Sequence, residues 1–157
     1  AHLEQVGAVA KLCKDYWDVP VYVHPQELPF ITGKNSDLGL HALPLPSDGR
    51  CPGLPEWRWL HTPGHSPGHV AYLRQSDGLL LFGDAAWLSK DLTFPEVNWD
   101  EAQHSLHILR DLYPGLAIAS HGKPLAGAEF TQKLDLLVTN FPILAKLGSD
   151  RLLQSND

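Results

Sequence analysis

The segment His61-Thr62-Pro63-Gly64-His65-Ser66-Pro67-Gly68-His69 constrains this chain more than any other. Its three histidines recur at every fourth position, a spacing that would line one face of a helix, but two Pro-Gly pairs stand between them. Proline fixes φ and removes a donor, and glycine admits φ > 0, so each pair breaks regular structure and favours a turn. The segment therefore reads as a rigid loop. Trp57-Arg58-Trp59-Leu60 before it and Val70-Ala71-Tyr72-Leu73 after it read as strands. A loop between sheet strands is where a scaffold usually places chemistry, and imidazole suits zinc, iron and copper. One histidine beside a Pro-Gly turn is more often a hydrogen-bonding turn residue. With three in one loop, the ligand and turn readings stand level.

Two further segments tip that balance. The apolar run Leu79-Leu80-Leu81-Phe82 ends in Gly83-Asp84, and Leu116-Ala117-Ile118-Ala119 ends in Ser120-His121-Gly122. In each, a buried strand ends on a potential ligand next to glycine. A carboxylate and an imidazole at strand ends, with small neighbours leaving room, can build a metal site on a sheet.

These three segments together resemble the metallo-β-lactamase fold family, in the family's order and at plausible spacing. The resemblance covers roughly Ala1 to Phe141 and looks closest to glyoxalase II-like hydrolases. It implies an α/β fold, an αββα sandwich, in which His65, Asp84 and His121 match the family's later metal motifs and Asp84 bridges two metals. The family's leading motif, H-x-H-x-D-H followed by a helix, is altered here. Ala1-His2-Leu3-Glu4-Gln5-Val6-Gly7 aligns from its second position, with His2 on the second His, Glu4 on the Asp and Gln5 on the last His. A register with His2 as the final His would need extra residues before Gly7.

The alterations have chemical content. Glutamate keeps the charge of aspartate but reaches roughly 1.5 Å further. Glutamine replaces an imidazole nitrogen with a neutral amide oxygen, a poor match for zinc. Carried over by resemblance, the first metal position keeps His2, His65 and Asp84. The second keeps Asp84 and His121 unaltered, with Glu4 open.

With 157 residues and a formal net charge of −6, the chain reads as one domain with no basic run to suggest nucleic-acid binding. It has no apolar stretch near 18 residues and no signal-peptide pattern, so the expectation is no membrane contact and, by default, a cytoplasmic location. Cys13 and Cys51 have no metal-ligand spacing and read as free thiols. Because the family's first sheet is built largely from residues upstream of the leading motif, residues 1–157 are expected to be a single partial domain, the C-terminal portion with the first sheet largely missing.

Apolar spacing predicts a helix over about residues 3–16, and Val19–Val23 reads as a strand stopped by His24-Pro25. Residues 25–32 suggest a helical turn, and 33–56 a long surface loop. Strands follow at about 57–62, 69–75 and 79–83, with Ser76-Asp77-Gly78 as a hairpin turn. Asn98, with Glu101 three residues on, caps a helix running to about Tyr113. A strand over 116–120 and a helix from Ala126 to Phe141, ended by Pro142, complete the chain. His104 and His107 read as a solvated helix face, His24 and His41 as turn or loop residues. His61 and His69 are expected to make structural hydrogen bonds or to orient His65. The five tryptophans read as core or rim aromatics, with Trp87 placed to line a pocket.

The resulting expectation is a metal-dependent hydrolase acting on a small acyl compound, a thioester, ester or lactone, through metal-activated water. His2, His65, Asp84 and His121 would hold one or two zinc ions, or iron or manganese, and Glu4 would orient the water or take its proton. There is no G-x-S-x-G elbow to support a serine nucleophile. Two other readings stay open. His2, His65 and Asp84 form a two-His, one-carboxylate set suited to mononuclear iron, as in the family's sulfur dioxygenases. The altered motif also suits a non-catalytic binding protein with a decayed site.

Overall fold

The computed structural model describes residues 8–15, 19–34, 42–86 and 98–154. In chain order the elements begin with α1 (Val9–Asp15), β1 (Val21–Val23), a 3-10 turn (Pro25–Glu27), α2 (Leu28–Lys34) and β2 (Ala42–Pro44). They continue with β3 (Arg50–Cys51), β4 (Leu54–His61), β5 (Val70–Arg74), β6 (Leu79–Gly83) and α3 (Trp99–Arg110). The last are β7 (Leu116–Ala119), β8 (Leu125–Ala126) and α4 (Gly127–Gln154).

Six strands form one sheet in the order β3-β4-β5-β6-β7-β8, and β1 pairs with β2 as a separate two-stranded parallel sheet. Alternation along the strands decides which face is buried. Ala71 of β5, Leu80 and Phe82 of β6 and Ala117 of β7 point to one side, where they join Leu106 and Leu109 of α3 and Phe130, Leu134 and Phe141 of α4 in a single apolar cluster. The rings of Phe82 and Phe130 meet at 5.0 Å. Helices therefore cover one face of an α/β sheet, as expected.

The local signals act as their chemistry suggests. Asn98 Oδ1 accepts from the Glu101 backbone N–H at 3.3 Å and caps α3. Arg74 grips Asp77 with two guanidinium N–H groups, and Asp77 accepts from Leu79 N, closing the β5–β6 hairpin. Both cysteines are free. α3 turns Ala102, Ser105, Leu106 and Leu109 inward and leaves His104 exposed, with His107 half-buried in the last turn.

Three expectations need correction. The stretch from Gly33 to Glu56 is not wholly loop, since it contributes β2, β3 and the start of β4. Strands of two or three residues have no periodicity of their own and exist because a neighbour supplies hydrogen bonds, as Val21–Val23 does for Ala42–Pro44. The same holds for β8, which pairs with β7 where the last helix was expected to begin. That helix also does not end at Pro142, which lies inside it. An interior proline costs roughly 3 kcal/mol. Here Leu137 and Phe141 before it are buried, and Leu144 and Ala145 after it pack on the same cluster. That packing on both sides of the exposed Pro142 carries the helix through. Among the described residues, no helix is long and apolar enough to cross a membrane.

Candidate metal centre

Sheet register brings the chemistry to one edge. β4 and β5 are antiparallel with His61 opposite Val70, so the histidine loop lies beyond the C-terminal end of β4. β5 and β6 are antiparallel, which puts the end of β6 beside the start of β5. β6 and β7 are parallel with Gly83 opposite Ala119, so Asp84 and His121 leave the sheet on that same edge. Residues far apart in sequence therefore meet because strand direction reverses twice, from β4 to β5 and from β5 to β6, and then repeats in β7.

At that edge His65 Nε2 lies 3.9 Å from Asp84 Oδ2, and His121 Nε2 lies 3.9 Å from Asp84 Oδ1. The Asp84 and His65 side chains are only 7% and 12% exposed, while His121 is 62% exposed, so the pair opens to solvent on the His121 side. Two donors on one zinc lie no further apart than about 4.2 Å, twice the usual ion–ligand distance. Each His–carboxylate pair meets that limit without movement. Among the described residues no three such side chains converge on one ion. Asp84 instead turns one oxygen to each histidine, the disposition of a carboxylate shared between two positions. His2 and Glu4, the other expected site residues, lie outside the described residues, as do Gln5, His41 and Trp87.

The remaining histidines of the loop hold it. His61 Nε2 meets the Pro67 carbonyl at 2.8 Å, and its ring stacks on His24 at 4.1 Å. His69 is more consequential. Its Nε2 accepts from the Asp84 backbone N–H at 3.1 Å. The proton must then sit on Nδ1, which lies 2.9 Å from Thr62 Oγ1 and donates to it. So His69 ties the base of the loop to the backbone of Asp84, and touches His65 only edge to face at 6.0 Å. The expected structural hydrogen bonds are present, and the one toward the site runs to Asp84 rather than to His65. Gly83 makes this approach possible. Its φ is +55°, and a Cβ there would lie 2.8 Å from His69 Nε2.

Burial, reinforced by the neighbouring His65, pushes the His69 pKa down from 6.5 to about 4. The neutral ring is the form its acceptor role requires. Between pH 6.5 and about 4 the unfolded chain binds this proton and the folded chain does not. The contribution to stability is thus fully present above pH 6.5 and is lost as pH falls toward 4. It is on the order of 3 kcal/mol across the window. Urea denaturation of chelator-treated protein between pH 7.5 and 4.5 should show this loss, and a His69→Gln variant should show a flatter profile. Parallel profiles would contradict the assignment.

Groups that the sequence did not connect with the histidine loop complete the support. Ser105 of α3 donates to the Pro63 carbonyl at 2.6 Å, and Asn98 N donates to the Gly64 carbonyl at 3.0 Å. Glu27 is 7% exposed and accepts from Ser66 Oγ and Gly68 N, both at 2.8 Å. Nothing local marks Glu27 in the sequence, because its partners lie 39 and 41 positions away.

A family model for the metallo-beta-lactamase superfamily matches residues 1–121. The chain belongs to that superfamily. The probable metallo-hydrolase YflN of Bacillus subtilis (strain 168) is 29% identical over 174 residues, covering 85% of this chain and 66% of its own length. The probable metallo-hydrolase YybB of the same organism is 28% identical over 137 residues, covering 79% and 62%. The chain thus spans about two-thirds or less of these curated relatives. The crystal structure of TTHA1623 in a di-iron-bound form is 31% identical, with a TM-score of 0.67 over 85% of this chain and 72% of that one. The sheet and its helices accordingly have the metallo-beta-lactamase fold, and TTHA1623 holds two irons in that form. In this superfamily context, the donor chemistry of His65, Asp84 and His121 fits a metal: two imidazoles and one carboxylate suit zinc and iron alike.

Proposed function

We propose that this protein is a metal-dependent hydrolase of the glyoxalase II-like type, cleaving a thioester, ester or lactone bond in a small acyl substrate. The observation that carries this reading is the placing of Asp84 between His65 and His121, one carboxylate oxygen toward each at 3.9 Å. The naming of YflN and YybB as probable metallo-hydrolases supports the same class. His65, Asp84 and His121, with His2, would hold the metal. A bound metal supplies Lewis acidity toward the substrate carbonyl and lowers the pKa of water toward roughly 7. The protein's own part is to keep the donors fixed before substrate arrives. Asp84 is held through its backbone by His69, and the His65 loop is held by Glu27, Ser105 and Asn98. Glu4 would orient the attacking water or take its proton, and the exposed His121 side gives substrate its way in.

The test begins with elemental analysis of the purified protein. Hydrolysis of an S-acyl thioester, an aryl ester and a lactone should then be followed before and after chelation. Activity on at least one class, lost with the metal and regained with zinc or iron, is expected. Hydrolysis that survives complete removal of metal would overturn the reading. The di-iron form of TTHA1623 is the reason to include iron beside zinc.

Glu4 and Gln5 bear on stoichiometry. With an imidazole replaced by an amide and a carboxylate of altered length, the second metal position should be the weaker, and the protein should hold fewer than two tightly bound ions per chain. Glu4→Asp with Gln5→His should raise the count toward two and increase ester or thioester hydrolysis. Two equivalents already present in the unaltered protein would show Glu4 and Gln5 to be competent ligands. A double variant that gains neither metal nor activity would favour a non-catalytic binding role.

A further inference from the structure

We infer that Glu27 is a positioning residue for His65, and that its carboxylate sets metal affinity without touching the metal. The inference rests on the proposed role of His65 as a ligand.

The histidine loop is gripped from two sides. On one, α3 takes the Pro63 carbonyl through Ser105 and the Gly64 carbonyl through Asn98 N. On the other, a single oxygen of Glu27, Oε1, accepts from both Ser66 Oγ and Gly68 N at 2.8 Å. His65 is the residue between the two grips. Its ring direction follows from the backbone at positions 64–66, so loss of either grip frees it to turn.

The Glu27 grip is a fitted one. A Cβ on Gly68 would lie 2.5 Å from Glu27 Cγ, so the side chain reaches its partners only across a glycine. Glu27 itself is fixed at the end of the 3-10 turn Pro25–Glu27, whose N-cap His24 accepts from Gln26 N through Nδ1 and stacks on His61. The turn and the loop are thus joined at two points, His24 on His61 and Glu27 on Ser66 and Gly68. Burying a carboxylate is costly unless its oxygens are well satisfied, and charge-assisted bonds of this kind are stronger than neutral ones. A loop that needed only closing already has backbone bonds for the purpose, from Thr62 N to the His69 carbonyl and from His69 N to the Ser66 carbonyl. The added charged grip acts on the half of the loop that follows His65.

Reach matters more than charge in this arrangement. Glu27→Gln can still present an oxygen to both donors. Glu27→Asp withdraws the carboxylate by roughly 1.5 Å, one carbon–carbon bond, and takes the acceptor out of hydrogen-bonding range. Supporting groups of metal ligands typically influence affinity by 10–100-fold.

The experiment is competition of the full chain with a chelating dye for Zn2+, with the visible absorption of the Co2+-loaded protein as a report on ligand arrangement. Glu27→Ala and Glu27→Asp should lower Zn2+ affinity about 10–100-fold and change the Co2+ spectrum. Glu27→Gln should restore affinity to within a few-fold of the unaltered protein, with its spectrum. Leu134→Ala, a core change away from the loop, should lower the unfolding midpoint yet leave the Co2+ spectrum unchanged. If Glu27→Ala does not fold, Ser66→Ala carries the test, since it removes one of the two bonds and should weaken Zn2+ binding by a smaller factor.

Affinity and spectrum unchanged in the Glu27 and Ser66 variants would overturn the inference and leave the metal reading standing. So would a Leu134→Ala variant whose spectrum changes as much as that of Glu27→Ala. An unaltered protein with no saturable Zn2+ or Co2+ binding would sink the metal reading and this inference with it.

Discussion

Asp84→Asn is expected to lower metal affinity by more than about 100-fold and to abolish metal-dependent hydrolysis. Asparagine matches the shape of aspartate, so folding should survive. What is lost is the negative charge and one of two equivalent oxygens. Both matter here, because Oδ1 faces His121 and Oδ2 faces His65 at the same 3.9 Å. An amide can offer its oxygen to one of them and turns its NH2 group, which cannot bind metal, to the other. Changes to groups that merely support ligands already cost 10–100-fold, so loss of a shared ligand should exceed about that range. Elemental analysis after dialysis, with a dye competition titration, measures it. Retention of the original stoichiometry and affinity would show that Asp84 is not a ligand.

Gly83→Ala should cost both stability and metal affinity. Two costs add. The left-handed backbone at φ +55° disfavours any residue with a Cβ, by roughly 1–2 kcal/mol. The new methyl would also lie 2.8 Å from His69 Nε2, and that ring is held between Thr62 Oγ1 and the Asp84 N–H. Relief requires breaking one of those bonds or shifting the strand end, and overpacking of this kind costs about 1–3 kcal/mol. The total expected loss is about 2–5 kcal/mol of stability. Metal affinity should fall as well, since the displaced element is the one that carries Asp84. Urea denaturation of the metal-free protein reads the first effect, and Zn2+ competition the second. A variant as stable as the parent would mean that His69 does not occupy the position described for it.

The two predictions also separate what was legible from what was not. Asp84 could be proposed from sequence because Gly-Asp after an apolar run is a local pattern whose meaning comes from its order relative to the histidine loop and Ser-His-Gly. His65 and His121 were proposed in the same way, and the structure brings each within 3.9 Å of Asp84. The importance of Gly83 lies in how closely His69 approaches it, and no spacing along the chain encodes that distance. His69 illustrates the difference within one residue. Its presence in the loop was plain, but its neutral state and its bond to the Asp84 backbone depend on the antiparallel pairing of β5 with β6.

The sequence by itself determined the parts that short-range chemistry governs. The Pro-Gly pairs forbid a helix through the three histidines, the apolar run over residues 79–82 demands burial of its alternate residues Leu80 and Phe82, and Asn98 caps its helix with its own side chain. Motif order then placed the chain in its superfamily. Tertiary structure decided whatever rests on partners distant in sequence. Strands of two or three residues form only against a neighbour, and α4 passes through Pro142 only because both flanks are packed. Glu27 reaches its donors across some 40 residues because β1 and the 3-10 turn dock against the histidine loop. A carboxylate looks the same in sequence whether solvated or buried, and only the fold supplies donors such as Ser66 and Gly68 that make this one worth burying.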